Sequence, residues 1–306
     1  MANIVTVSSI GYDILPEMQS WVGRAYKDFP TEFDKIFTVL SSDRAEETFA
    51  KITGMGLPNS LGEAGTVDYD DIRQFWRKTI THVKYGQGVM ITRDALDDQK
   101  SGLAIEQKGR GLGRGMAKIK ELLAAAYIDN AHTTANGGDG VALCSASHPR
   151  IDGGTVSNTL SAAADLSEQS LEDSIIQMMG IVDERGLSIN VQPQKLIVSK
   201  AHAFEVARLL QTVGQVYTPD NTINAIKELG MFPGGSMVNH YLSDADAFYI
   251  TTDAVDASDG LVFYNRRPME ISADNVFDNE NAKFKSIARF SFGHKDPLCI
   301  FGSPGV

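Results

Sequence analysis

An α+β fold with long projecting parts is what this 306-residue chain predicts, on three observations. QFWRKTITHVKYGQGVMITRDALDDQ, residues 74 to 99, runs a two-faced strand straight into a helical pattern. A Gly/Pro-rich run precedes that strand, and the chain from Asp246 onward is dense in strand-forming residues. A small compact domain has nowhere to put such an arm.

Residues 1–45 read as an arm with two short helical pieces, LPEMQSWVGRAYKDF and TEFDKIFTVL, and Pro30 breaks any continuation of the first. In GMGLPNSLGEAG, the residues Gly54, Gly56, Pro58, Asn59, Gly62 and Gly65 prevent regular structure, so this run reads as the tip of a long hairpin. The return limb is the strand. Trp76, Lys78, Ile80, His82 and Lys84 alternate with Phe75, Arg77, Thr79, Thr81, Val83 and Tyr85, and neither face is wholly apolar or wholly polar. Such a ribbon suits burial against other chains better than burial in its own core. Trp76, Arg77, His82, Lys84 and Tyr85 are therefore candidate inter-subunit contacts.

Asp97 and Asp98 favour a helix N-terminus, and the chain reads as helical to about Asn130. Leu112, Met116, Ile119, Leu123 and Ala126 define one buried stripe, while Arg110, Arg114 and Lys118 form an i, i+4, i+8 row on the other side. GRGLGRG, residues 109 to 115, sits within this pattern. Its G-x-G-x-G-x-G spacing, the lack of a preceding strand and the lack of a following lysine-hydroxyl pair argue against a phosphate cradle. Glycines here let another backbone approach closely or permit bending, at about 1 kcal/mol each relative to alanine. Gly111 and Gly113, with Gly86 and Gly88 at the hairpin base, are the flexure candidates.

ANGGDGVALCSASHPRIDGGTVSN is a loop-rich crossing. Ser170, with Asp173 after it, starts a capped helix that carries Leu171, Ile175, Met178 and Val182 inward and ends at Gly186. A strand over Lys195 to Val198 leads to a helix from about Lys200 to Gln211 holding Phe204, Ala207 and Leu210, then a long loop through Thr218, Pro219 and Asp220 to Gly235. DAFYITTD, GLVFYNRRPMEIS and AKFKSIARFSFGHKDPLCIFGS close the chain as strands. In the last of them Phe284, Ala288, Phe290 and Phe292 share one face and Lys283, Lys285, Ile287 and Arg289 the other, the mark of a half-buried antiparallel sheet.

Hydrophobic content of 42% and charged content of 22% are ordinary globular values, and no apolar run approaches the ~20 residues that cross a bilayer. The N-terminus, MANIVTVSSIGYDILPE, lacks the basic flank and apolar block of a secretory signal, so a cytoplasmic location is the default. Cys144 and Cys299 lie far apart and are expected to be buried, reduced and inert. A net charge of −11 makes sequence-wide attraction to nucleic acid weak, although a local basic stripe can still touch phosphates. Histidines 82, 132, 148, 202, 240 and 294 form no metal-binding motif, and CSASHP has no nucleophile elbow around Ser145, Ser147 and His148. Capping and turn formation explain the pairs Asp97 with Asp98 and Asp244 with Asp246 more simply than a cation does. No catalytic set, cofactor site or metal site is expected.

The order of parts, together with THVKYGQGVMITRDALDDQ (81–99), GGDGVALCSASHPRIDGGTVSN (137–158), KLIVSKAHAFEVARLL (195–210), DNTINAIK (220–227) and NAKFKSIARFSFGHKDPLCIFGSPG (281–305), resembles the major capsid protein of tailed bacteriophages with the Hong Kong 97 type fold, most closely the Mu-like prophage head subunit group. The resemblance implies an N-terminal arm (1–45), an extended β-hairpin loop (46–92), a peripheral-domain spine helix (93–135), a mainly axial domain (136–255) and return strands of the peripheral domain (256–306). It also implies hexamers and pentamers of this chain closing into an icosahedral shell around double-stranded DNA, a portal at one vertex, a virion location, and the host cytoplasm as the place of assembly. Arg110, Arg114 and Lys118 then read as a lumen- or DNA-facing row, beside the alternatives of a solvated helix face or an ion-pairing surface.

Two departures from the family bear on partners. Some relatives carry a long helical scaffolding segment that is cleaved off, whereas here the arm starts almost at once, which points to a separate scaffolding protein. Certain relatives cross-link a loop lysine to a neighbour's asparagine, but no lysine lies between Lys51 and Lys78, so a noncovalent shell helped by a cement protein is expected. The competing readings are a cytosolic enzyme with an unrecognised site and another phage structural subunit, a tail tube or decoration protein.

Overall fold

The structure, a computed structural model, describes residues 15–63, 65–92, 94–95, 102–214, 223–256, 259–276 and 281–306. In chain order its main elements are α1 (Leu15–Lys27), β1 (Thr38–Ser41), β2 (Glu46–Ile52), β3 (Gln74–Thr81), β4 (Val83–Ile91), α2 (Gly102–Asp129), β5 (His148–Pro149), β6 (Thr155–Val156) and α3 (Glu168–Met179). Then come β7 (Pro193–Ser199), α4 (Ala203–Gln211), α5 (Ala225–Glu228), β8 (Ser236–Asn239), β9 (Phe248–Thr252), β10 (Leu261–Asn275), β11 (Ala282–His294) and β12 (Ile300–Ser303). They divide into two compact units. The first takes the chain through Ala45, Thr81–Ala124 and Phe263–Ser291, and the second takes Glu46–Ile80, Ala125–Val262 and Phe292–Val306.

A sheet of order β1-β10-β11-β4 belongs largely to the first unit, with β4 antiparallel to β11. Along β11 the buried positions Phe284, Ala288 and Phe290 alternate with exposed Lys283 and Lys285, as the sequence pattern predicts. Met18 and Val22 of α1 pack with Leu112, Ile91 and Phe284 in an apolar core. The two helices meet almost backbone to backbone, because a Cβ on Gly113 would stand 2.4 Å from the Val22 carbonyl oxygen. Only glycine fits there.

The buried stripe of α2 runs through Leu112, Gly113, Met116, Ala117, Lys120, Glu121, Ala124, Ala125 and Ile128. This differs from the predicted one, since Ile119 and Leu123 are half-buried and Ala126 is exposed. The physical reason is polar satisfaction. Glu121 accepts the backbone N–H groups of Glu32 and Phe33, each at 3.0 Å. Lys120 Nζ donates to Tyr26 Oη at 2.5 Å and lies 5.3 and 5.5 Å from the ring centroids of Phe263 and Phe290.

In the second unit the sheet order is β12-β9-β7-β8, with β7 parallel to β8 and antiparallel to β9. Leu196, Val198, Phe248, Ile250 and Phe301 from this sheet share a core with Leu171, Ile175 and Met178 of α3 and Val206 and Leu209 of α4. The first turn of α3 is capped by Ser167, whose side chain and that of Ser170 form a reciprocal box, so the helix starts earlier than the sequence pattern predicts. It stops at Met179. Gly186, with φ of 79°, closes a separate turn between Asp183 and Leu187. On α4 the sequence phase is also displaced: Val206 and Leu209 are buried, whereas Phe204 is 80% exposed. A 3-10 turn, Lys200–His202, precedes α4, and three residues per turn shift the phase. The predicted loop to Gly235 contains α5, capped by Asn224. Asp97, Asp98, Thr218, Pro219 and Asp220 lie outside the described residues.

The single strand expected over residues 75–85 is two strands. β3 pairs with β2 in a two-stranded sheet, β4 joins the four-stranded one, and His82 stands between them.

Candidate functional site

Between β2 and β3 the described residues from Thr53 to Arg73 adopt no regular structure, as the glycines and Pro58 dictate. Met55, Leu57, Leu61, Val67, Tyr69 and Ile72 all lie exposed there, Leu57 at 74% and Tyr69 at 97%. Clustered exposed apolar side chains of this kind mark an interaction surface. The loop is nonetheless shaped by polar fastenings. Asp70 accepts the Gly56 N–H at 2.6 Å and pairs with Arg185, whose second Nη donates to the Asp71 carbonyl at 2.6 Å. The Gly56 N–H, then Arg185, hold the Asp70 carboxyl below its ordinary range.

The five predicted contact residues separate by burial. Arg77 and Lys84 are exposed. Trp76 is half-buried on Gly138, where a Cβ would come within 2.3 Å of the indole, and half-buried Tyr85 stacks on Phe290 at 4.7 Å between centroids. His82 is 3% exposed, with Nδ1 2.9 Å from Ser291 Oγ and Nε2 3.1 Å from Ser42 Oγ. Lys78 shares the inward side of β3 with Ile80. The expectation that this ribbon suits other chains better than its own core is thus corrected for Lys78, Ile80 and His82, which this chain buries itself, supplying the polar partners of Lys78 and His82.

Arg110, Arg114 and Lys118 are exposed along α2, and Glu106 pairs with Arg110 at 2.6 Å. Around Gly111 an added Cβ would meet nothing within 4 Å, in contrast to Gly113. Gly86 and Gly88 lie within β4, opposite Ile287 and Lys285, rather than at the hairpin base; a Cβ at Gly88 would stand 3.3 Å from the Phe284 carbonyl.

Buried polar groups that sequence reasoning did not combine lie in the second unit. His148 Nδ1 is 2.6 Å from Asp139 Oδ2, an acid-imidazole pair of the sort used in hydrolases. Its Nε2, however, faces Asn158 Oδ1 at 3.0 Å, while Ser145 Oγ and Ser147 Oγ bond to each other at 3.1 Å, so no serine is aligned with the imidazole. The hollow beside them has a volume of about 30 Å³, room for a water and not for a substrate. Burial would raise the Asp139 carboxyl, but the hydrogen bonds from His148 and the Val141 N–H outweigh it and hold the group below its ordinary value. Asn158 Nδ2, at 2.7 Å from the Leu143 carbonyl and 2.9 Å from that of Pro297, ties the crossing to the C-terminal turn.

Nearby, Lys78 Nζ lies 3.1 and 3.0 Å from the ring nitrogens of His294, and Tyr127 Oη is 2.6 Å from His294 Nδ1. Burial lowers Lys78 to about 7 and holds His294 well below the usual histidine range. Cys144 and Cys299 are buried free thiols, and burial pushes both up. No group of metal-ligating side chains occurs among the described residues.

The sequence family described as phage capsid protein matches residues 77–302, from within β3 to within β12. The virus-like particle from Pyrococcus furiosus is a structural match at TM-score 0.54 and 13% identity, over 94% of this chain and 98% of that one. The mature capsid of bacteriophage PhiM1 matches at TM-score 0.56 and 13% identity, over 90% and 87%. The capsid of an empty GTA particle does so at 0.54 and 14%, over 90% of each chain. No individual curated protein gives a significant match. At such identities the structural likeness establishes the fold, and the family match establishes kinship: the chain belongs to the phage capsid protein family.

Proposed function

We propose that copies of this subunit associate as hexamers and pentamers and close into an icosahedral head around double-stranded DNA, each laying its 53–73 loop over a neighbour. The exposed apolar set on that loop carries the reading. Burying one such side chain fully contributes roughly 1.5–3 kcal/mol, and many modest contacts add up in a closed shell. Trp76, Arg77, Lys84 and Tyr85 flank this contact, and His82 acts from within, fixing the point where β3 gives way to β4.

In this reading the architecture is of the Hong Kong 97 type, closest to the Mu-like group: arm 1–45, extended loop 46–92, spine helix within 93–135, axial domain 136–255 and return strands 256–306. Assembly takes place in the host cytoplasm with a separate scaffolding protein, a portal at one vertex and a cement protein on the mature head. The shell is noncovalent, because the loop tip lacks a lysine between Lys51 and Lys78. A ladder of covalent oligomers on a denaturing gel would contradict that.

The main test is expression of the chain with and without a scaffold candidate, followed by electron microscopy. A variant carrying Leu57→Ser, Val67→Ser and Tyr69→Ser should keep the wild-type circular dichroism and melting profile yet form no shells. Normal shells from the triple variant would remove the loop from this role.

A further inference from the structure

We propose that Arg24, Arg110 and Arg114 form a binding site for the phosphate groups of a nucleic-acid backbone, an inference that rests on the reading of this subunit as a wall around DNA. The three arginines line a hollow of about 260 Å³ in the first unit, together with Trp21, Phe29 and Pro30. Arg110 and Arg114 stand one turn apart on α2, about 6 Å along its axis. Arg24 comes from the last turn of α1.

A solvated helix face explains two arginines on one helix. It does not explain a third from another helix converging on the same hollow. Nor does it explain the charge balance. The chain carries 39 acidic against 28 basic residues, yet Arg24 and Arg114 have no ion-pair partner among the described residues. Arg110 is held only by Glu106, in an exposed pair that counts for little in water. Among the described residues Asp28 is the one carboxylate on the wall, so with Glu106 beside Arg110 three cations meet two anions. Planar guanidinium forks suit phosphate oxygens, which they can grip two at a time. Trp21 and Pro30 offer flat apolar surface to a sugar between phosphates. Lys118, further along the row, lies outside the hollow.

The test titrates unassembled full-length subunits with a short generic DNA duplex over a salt series. Removing one arginine-phosphate interaction should flatten the log-log salt slope by about 0.9, so the double variant Arg24→Gln, Arg114→Gln should lower it by about 2 and weaken binding at least tenfold at low salt. Arg267→Gln, at an exposed arginine on β10, should leave the slope unchanged. Arg24 and Arg114 are both exposed, so the double variant should melt like the wild type. An unchanged slope in the double variant overturns the site. So does a loss confined to poly-glutamate with DNA binding intact, which would make the ligand an acidic polypeptide. Micrographs of the same preparations report on the shell separately. If shells form while the slope stays put, the site falls and the shell reading stands; if the wild-type chain forms no shells with or without the scaffold candidate, the shell reading falls whatever the slope does.

Discussion

Lys78 sits where a charged amine is costly. It is buried, its hydrogen-bond partner is the His294 ring, and the attraction of the Asp139 carboxylate acts on it only through space. Burial lowers its folded-state value from 10.5 to about 7. Between those limits the unfolded chain holds a proton that the folded chain has released. Stability should therefore rise with pH across that window, and the contribution is lost as pH falls towards 7. Lys78→Met, which keeps the length of the side chain, should stabilise unassembled subunits near pH 6 by about 2–4 kcal/mol, with the advantage shrinking towards pH 10. Urea unfolding at several pH values checks it; a pH-independent difference would refute the assignment. Residues of this kind were not legible in the sequence. Lys78, Lys120 and Glu121 have surface-type side chains, and what turns them inward lies far away in the chain: His294, Tyr26, and the N–H groups of Glu32 and Phe33. The acid-imidazole pair of His148 and Asp139 gave a signal only in hindsight, as a histidine nine residues from an aspartate in a glycine-rich crossing.

Elements were more legible than residues, because period and punctuation are local. The long helix, the strands of the C-terminal stretch and the irregular loop all stand where glycine, proline and apolar spacing place them. The misses have local causes as well: a 3-10 turn shifts the phase of α4, and on α2 buried Lys120 and Glu121 take the inner stripe in place of Ile119, Leu123 and Ala126. The α2 glycines show how structure divides what sequence lumps together. At Gly113 an added methyl would collide with the backbone of α1, whereas at Gly111 it meets open space. Gly113→Ala should thus destabilise the subunit by about 1–3 kcal/mol, the usual range for overpacking. Gly111→Ala should stabilise it by up to about 1 kcal/mol through helix propensity. If α2 must flex to serve non-identical positions in a shell, Gly111→Ala should yield well-folded subunits that close into fewer or misshapen particles. Melting curves and micrographs of the two single variants separate these effects; regular shells at full yield from Gly111→Ala would dismiss flexure at that position.

At the scale of the whole molecule, two forces respond to salt in opposite directions. Each subunit carries a net charge of −11, so copies repel one another at long range, and added salt screens that repulsion within a Debye length of about 10 Å at 0.1 M. The proposed contact is apolar, built from Leu57, Val67, Tyr69 and their neighbours, and kosmotropic salts such as sulfate strengthen apolar burial. Phosphate binding at the arginine hollow depends on counterion release and weakens as salt rises. The expected outcome is therefore a crossing pattern. Light scattering on subunits mixed with the scaffold candidate should show the concentration at which shells first appear falling as sodium sulfate is raised, while duplex DNA affinity measured on the unassembled subunits declines over the same series. Were the shell held mainly by ion pairs between copies, the onset concentration would climb with salt, in step with the decline of DNA affinity. That parallel weakening would contradict the role assigned to the loop, since no amount of screening weakens a contact made of buried leucine, valine and tyrosine.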